Sequence, residues 1–549
     1  MTVWPARTAA AIVLGLAFSP IATGAPSVKA AGLPAPVSVT MIATLTVPEH
    51  TSAFIESSLL ASYTSQLGLL TRQLDQVINR PIALGIDPSI IASIRVLGTS
   101  APESAIAWLE RLDAATNETF PLAWADADLT LGLQAGSGDV LIPESLTYAI
   151  DPTLFSDTPV GPTPTPAPSE TPAEEVVPSL PTSESLTAWD YTVSEITWPA
   201  MNAVTSGDLG KLSDFYGTTI LSSGNLGAAG ARTAHTVIGE VDALVADEAL
   251  STQFGLAVEG SAGSQWEAVV ANLVASVGAV PSTDDNPASV LLALGRDVAT
   301  SDPDLGATID ALAAAPSLRT TPLSELLTTP PVSGTLVERT HDEARLGAVA
   351  KLLAEERADR TFATIAADPS LITSERRLDL LATISNSWSD NAAGWTAAVS
   401  EYTANSIALR KMVRIVKSSS ITLLSDRGSL PVTVTNELNQ PITVYVTVRP
   451  MTPLLRIEDS FVEVTVEPDS QRKASVPVQS LSNGTVALQI TLHSVSNLTV
   501  GDLTYVETTV QAGWETPVTI GFGAFVLLVF AAGIVRTIVR RRRARSVEV

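Results

Sequence analysis

The feature that most constrains this chain lies near its C-terminus. From Pro517 to Val535 the sequence PVTIGFGAFVLLVFAAGIV carries no charged residue. Nineteen helical residues at 1.5 Å each span roughly 28 Å, close to the hydrocarbon thickness of a bilayer. Trp514 stands just before this run, where an indole favours the interface, and Arg540, Arg541, Arg542 and Arg543 follow it. Arginines beside a span stay cytoplasmic. The sequence therefore predicts one transmembrane helix over 517–535, a basic cytoplasmic tail over 536–549, and the bulk of the chain outside the cell membrane. A core helix of a soluble domain would not end in RRRRAR.

The N-terminus agrees with that orientation. Arg7 precedes an apolar run from about Ala9 to Phe18, and small residues follow, with Val28-Lys29-Ala30 fitting a cleavage site. This is the layout of a secretory signal peptide over 1–30. Signal and stop-transfer together give a single-pass protein of type I topology.

Composition narrows the chemistry. The 549 residues carry a formal net charge of −25, although the last fourteen hold six arginines against Glu548 alone, so the rest stands near −30. Such a surface repels phosphates and excludes nucleic acid as a partner. There is no cysteine, which rules out disulfides, thiolate metal sites and a cysteine nucleophile. His50, His235, His341 and His493 have no ligand spacing, so a histidine metal site is not expected, while carboxylate sites for calcium or magnesium stay open; no cofactor is expected.

Between the ends the periodicity changes three times. Over 36–335, short apolar strands such as Val37–Met41, Pro81–Ile86, Phe120–Trp124 and Ser289–Leu294 alternate with helical patterns. That alternation predicts an α/β domain with a parallel sheet, including a (β/α)-barrel-like form. Capping boxes are expected at Ser100–Glu103 and Thr340–Glu343. Residues 151–185 are rich in Pro, Thr, Ser and Glu and read as a flexible insertion. A helical subdomain is expected over 336–416. From 417 to 512 the period becomes two, and seven short strands separated by turns predict an immunoglobulin-like β-sandwich beside the membrane.

These stretches also resemble a known family. Ile86-Asp87-Pro88, Ala125-Asp126-Ala127-Asp128, Ile196-Thr197-Trp198-Pro199 and LPVTVTNELNQPITV from Leu430 to Val444 are similar to envelope proteins of high-GC Gram-positive bacteria grouped as domain-of-unknown-function family 6049. Trp514, the apolar helix and the arginine run match as well. Members of that family often lie beside the gene for the lipid II flippase, which implies a role in envelope and peptidoglycan biogenesis. This chain departs from the pattern in a shorter N-terminal side and in Ala-Trp-Ala, rather than Pro-Tyr-Ala, before the acidic motif.

Candidate functional residues sit near predicted strand ends, where α/β folds bind ligands. Asp87, Asp126, Asp128, Asp242 and Arg296 fall there. Asp126 and Asp128, with Asp87 as a third, are the weak catalytic candidates; paired carboxylates can do acid–base work on a glycan. Each also has a structural reading, Asp87 before Pro88 being a good helix N-cap. Trp124, Trp198 and Arg296 are the binding candidates, the tryptophans as stacking faces for sugar rings or as core. No G-x-S-x-G, H-E-x-x-H, phosphate-loop or dinucleotide motif occurs. The sequence leans against an enzyme without deciding the matter. It favours an anchored envelope protein that binds a membrane-protein partner or a cell-wall glycan, with a glycan-active hydrolase or deacetylase as the alternative.

Overall fold

The computed structural model describes residues 36–155, 180–227, 233–259, 263–282, 288–416, 421–423, 425, 427–510 and 515–544. The expected signal segment, residues 156–179 of the proline-rich stretch, Trp514 and Arg545 lie outside the described residues, as does the side chain of Arg543.

Ten strands between Val37 and Ser333 form one sheet: β1 (Val37–Leu45), β2 (Ala83–Ile86), β3 (Thr119–Pro121), β4 (Ile196–Thr197), β5 (Thr218–Ser222), β6 (His235–Ile238), β7 (Val241–Ala246), β8 (Ser289–Ala293), β9 (Leu318–Thr320) and β10 (Val332–Ser333). Seven of them, in the order β3-β2-β1-β8-β7-β5-β4, pair in parallel. Val193, in the segment before β4, donates its N–H to Thr119 O of β3 at 3.1 Å. The β6–β7 hairpin is antiparallel. β9 adds to β1 and β10 to β6.

Strand alternation divides the core between two faces. In β1, Val39, Met41, Ala43 and Leu45 join the cluster formed with the surrounding helices. Ile42 points the other way, into a second cluster with Ala83, Phe120, Ile196, Ile220, Leu244 and Leu291, one residue from each of the other six parallel strands. Two threonine hydroxyls tie β1 to neighbouring segments: Thr40 donates to Thr321 O at 3.0 Å, and Thr300 donates to Thr44 O at 3.0 Å.

Helix starts follow local chemistry more closely than the two expected capping boxes. Helix Glu103–Asp113 begins after Pro102 with no side-chain cap, because the Ser100 hydroxyl turns back to Leu97 O. Helix Glu343–Ala363 is capped by Asp342, which accepts from Arg345 N–H at 2.9 Å, in place of Thr340. A carboxylate next to the first turn is the stronger acceptor there.

Helices Glu343–Ala363, Ser370–Thr383 and Ala392–Lys411 pack together around Arg376. Its guanidinium donates to Asp359 at 3.1 Å, Asp379 at 2.9 Å and the Ser406 hydroxyl at 2.9 Å, and lies 3.8 Å from the Tyr402 ring centroid.

The chain then switches to β structure: β11 (Val413–Ile415), β12 (Ile421–Leu423), β13 (Arg427–Asn436), β14 (Ile442–Pro450), β15 (Leu455–Ile457), β16 (Val462–Val466), β17 (Ser470–Ser480), β18 (Gly484–His493) and β19 (Thr499–Val510). They form two sheets, β11-β13-β17-β15 and β12-β19-β18-β14-β16, antiparallel except for the β12–β19 pair. One core that includes Leu430, Val444, Val476 and Leu488 joins both sheets. Asn436 fixes the corner between β13 and β14, its amide donating to Gln440 O at 2.8 Å and Val466 O at 3.2 Å. The seven expected strands are present, and the short β11 and β15 are additional.

The last described element is helix Glu515–Ala544. Within Val518–Arg542 an 18-residue run has a mean hydropathy of 2.5 and no buried part. The helix is long and apolar enough to cross a membrane.

Candidate functional site

Because β2, β3, β4 and β8 are parallel, the residues that follow them gather at one end of the sheet. Asp87 follows β2 directly and caps helix Pro88–Val96, with Pro88 at the first helical position. Its Oδ1 accepts from Ser89 N–H at 2.8 Å and from Ala125 N–H at 2.9 Å. Asp87 is 1% exposed. Burial, reinforced by the nearby Asp126 and opposed by the two backbone bonds, pushes its carboxyl up to about 7.

After β3 the chain makes a tight turn. Ala125 and Asp126 both adopt left-handed backbone angles, with φ of 54° and 47°. Two consecutive L-residues in that region cost of the order of 1–2 kcal/mol each, and the surrounding bonds offset the strain. Asn386 donates to Asp126 O at 2.9 Å, and Asp128 N–H donates to Ile384 O at 2.9 Å. The turn swings the Asp126 carboxylate onto Arg296, which follows β8. Arg296 Nε reaches Oδ2 at 2.6 Å and Nη2 reaches Oδ1 at 2.9 Å, a bidentate pair. Burial pushes the Asp126 carboxyl above its ordinary value, and the guanidinium acts against that shift. Arg296 also donates to Trp198 O at 2.7 Å, and its guanidinium carbon lies 4.6 Å from the Trp198 ring centroid.

Asp128 faces elsewhere. It caps helix Leu129–Gln134, Oδ1 accepting from Leu131 N–H at 3.2 Å and from the Thr130 hydroxyl at 2.7 Å. Its Oδ2 lies 3.2 Å from His341 Nε2. Burial would raise this carboxyl, yet the bonds from His341, Thr130 and Leu131 outweigh it and hold it below the usual carboxylate range. The two carboxylates of the Ala-Asp-Ala-Asp motif thus serve different partners and do not face one ligand.

Arg296 and Trp198 line a cleft of about 500 Å³ at the carboxyl end of the sheet, together with Asn202, Glu248, Asp297 and Asn386. Asn202 Nδ2 donates to Glu248 at 2.9 Å, while its Oδ1 is buried without a partner among the described residues. Trp124 lies outside this cleft. It is 2% exposed and packs edge-on against Phe54 at 5.6 Å. Asp242 does not join the group either, since it lies near the amino end of β7 and bonds His235 Nε2 at 2.8 Å. Among the described residues, no group of three or more His, Asp or Glu is placed to hold a metal ion.

Sequence reasoning missed Asn386 and His341, which complete the bonding of Asp126 and Asp128. They arrive from 260 and 213 residues further along the chain, and no local motif marks them.

The fold is thus a mixed α/β unit, a three-helix unit and a two-sheet β unit, followed by one apolar helix. The model of the family of unknown function 6049 matches residues 37–546, and the chain belongs to that family. No curated protein matches the chain in sequence. Among solved structures, the α-amylase AmyC from Thermotoga maritima is 9% identical over 69% of this chain and 93% of its own, with a TM-score of 0.42. A fragment of Escherichia coli α2-macroglobulin is 16% identical over 18% of this chain, with a TM-score of 0.15. SSP-19 from Caenorhabditis elegans is 12% identical over 17% of this chain and 94% of its own, with a TM-score of 0.14. This chain spans 16% and 7% of the lengths of the two α2-macroglobulin structures it resembles. At these scores no function is carried over from any of them.

Proposed function

We propose that this protein is a single-pass envelope protein, held in the cell membrane by Val518–Arg542, with its bulk extracytoplasmic. It works by binding a membrane-protein partner or a cell-wall glycan and not by catalysis. The observation that carries this reading is the fate of the strand-end carboxylates. Asp87 is bound up in a helix cap, Asp126 in a bidentate pair with Arg296, and Asp128 in a second cap with His341. A glycosidase needs two carboxyls flanking one bond, one to donate a proton and one to attack or activate water. Here the cleft wall instead holds the Arg296 guanidinium over the Trp198 ring, itself only 4% exposed, beside Asn202, Glu248 and Asp297, polar groups suited to recognition.

In this reading the seven parallel strands close as a (β/α) barrel, supported by their single shared inner cluster. The two C-terminal sheets form an immunoglobulin-like sandwich that spaces the cleft from the bilayer, supported by their common core. A setting in peptidoglycan biogenesis rests on the family resemblance.

The test is genetic. Deletion of the gene should alter wall-precursor levels or septal morphology, and a folded Asp128→Asn variant, which leaves the Asp126–Arg296 pair in place, should restore both. Unchanged wall synthesis and shape on deletion would count against the reading. A folded Asp128→Asn variant that fails to complement would turn it toward a glycan-active hydrolase or deacetylase.

A further inference from the structure

The link between the β unit and the apolar helix is short. β19 ends at Val510 and the helix begins at Glu515. The chain between those two residues spans at most about 18 Å, even fully extended. In the reading of that helix as a membrane span, on which this inference rests, one end of the β unit is therefore held close to the lipid headgroups.

Strand register identifies that end. Val510 pairs with Gly484 at the start of β18 and with Leu423 at the end of β12. Ser480, at the end of β17, pairs with Leu455 at the start of β15. The turns around these strand ends expose apolar side chains, Met451 at 57% and Leu481 at 41%. Both are tied to the strands: Met451 N–H donates to Ala487 O and Leu481 N–H to Leu454 O, each at 2.9 Å. The other end of the unit faces the helices, where Thr443 N–H donates to Ile365 O at 2.8 Å.

A basic row lies at the same end as the apolar turns. Arg427 of β13 and Arg456 of β15 both stand opposite Gln479 of β17. Residues directly opposite share one face of a sheet, so two arginines flank a neutral amide at a separation of roughly 10 Å, two strand spacings. Arg427 pairs with Glu458 at 3.3 Å, but the two side chains are 75% and 38% exposed, and such a pair is weak. The Arg456 guanidinium has no ion pair or hydrogen bond among the described residues. Besides Glu458, the nearest strand acid is Glu507 on the other sheet. In a chain of net charge −25, two adjacent arginines on the end tethered to the helix suit phosphate, which a guanidinium fork binds through two oxygens.

We propose that this end of the β unit docks on the bilayer surface, with Arg427 and Arg456 binding the phosphates of anionic lipid headgroups and Met451 and Leu481 entering the interfacial layer. Apolar side chains beside basic ones are the combination that interfacial binding uses, and an anionic leaflet attracts basic groups close to it. Attachment at two points, the helix and the strand ends, fixes the direction in which the rest of the chain projects.

The experiment exploits the absence of cysteine. The full chain receives one cysteine, by Thr452→Cys beside Met451 or by Val495→Cys in the β18–β19 turn at the other end, and a fluorophore on it. Each labelled chain is incorporated into nanodiscs of phosphatidylglycerol or phosphatidylcholine, with the same fraction of a lipid bearing a headgroup nitroxide quencher. In phosphatidylglycerol the label at 452 should be quenched at least twofold more strongly than the label at 495. That difference should shrink in phosphatidylcholine, and in a folded Arg427→Gln/Arg456→Gln variant whose thermal melt matches the parent. Equal quenching at the two positions in phosphatidylglycerol, or a difference that fails to fall in the folded variant, would overturn the proposal. A difference of the same size in both lipids would reflect the tether alone and would overturn it too. A chain that does not enter the discs would remove the anchor reading, and this proposal with it; equal quenching in a chain that does enter removes the docking alone.

Discussion

At the scale of single residues, the account rests on charges placed where water does not reach. Asp126 and Arg296 have side chains 6% and 11% exposed. Removing one partner strands the other. Asp126→Asn should therefore destabilise the protein by about 3–5 kcal/mol, measured by chemical denaturation of the full chain. Adding Arg296→Met should recover part of that loss, since the two substitutions then share one interaction. Strict additivity would mean that the pair is not coupled. Asp87 makes a different prediction. Its folded carboxyl lies at about 7 against an ordinary 3.8, so between those values the folded state holds a proton that the unfolded chain has released. Stability from this group is then greatest below about pH 4 and falls as the pH rises toward 7. Asp87→Asn keeps the Oδ1 acceptor for Ser89 and Ala125 and should flatten that fall in a series of melts from pH 4 to 8. An unchanged slope would show that Asp87 is ionised in the folded protein.

The sequence placed these residues unevenly. Asp87-Pro88 announces its own role, because a cap followed by proline at the first helical position is a local pattern. The position of Arg296 near a strand end was also legible. Its partner was not, because the pairing depends on two left-handed residues, Ala125 and Asp126, that nothing in Ala-Asp-Ala-Asp specifies. Trp124 and Trp198 look alike in the sequence, each following a short strand, yet one lines the cleft and the other a separate aromatic pocket.

At the scale of elements, the parallel strands other than β7, and most strands of the β units, were readable from their runs of apolar residues, while the short β11 and β15 fell outside those runs. The β6–β7 hairpin was unforeseen for a related reason, as it interrupts a pattern otherwise built of strand–helix alternation. The three-helix unit shows what periodicity cannot convey. Its helices are amphipathic, but they also surround charge: Asp359 is 1% exposed in its side chain and accepts from both Arg376 and Arg410. Burial raises the Asp379 carboxyl to about 7 even with Arg376 beside it. Arg376→Lys should destabilise the protein by more than 2 kcal/mol in a urea melt, because an ammonium cannot reproduce the planar fork that serves Asp359, Asp379 and Ser406 at once. A loss below about 0.5 kcal/mol, the ordinary range for a surface change, would show that the network contributes little to holding these helices together.

At the scale of the whole molecule, the organisation puts the Arg296 cleft at the end of the α/β sheet and two further units of chain between that sheet and the apolar helix. The strongly negative bulk and the basic end suit opposite faces of a bilayer. The apolar helix was the most legible feature, since nineteen uncharged residues followed by arginines need no tertiary context to interpret. The architecture of the chain before the apolar helix was readable in class, and its closure into particular shapes was not, because closure depends on which distant strands meet. The account stands or falls on orientation, and protease accessibility on intact spheroplasts measures it directly. With epitope tags placed after the expected signal segment and at the C-terminus, added protease should destroy the first and leave the second on a small protected fragment that stays with the membrane pellet. A chain recovered in the soluble fraction, or a C-terminal tag cleaved before the membrane is opened, would contradict it.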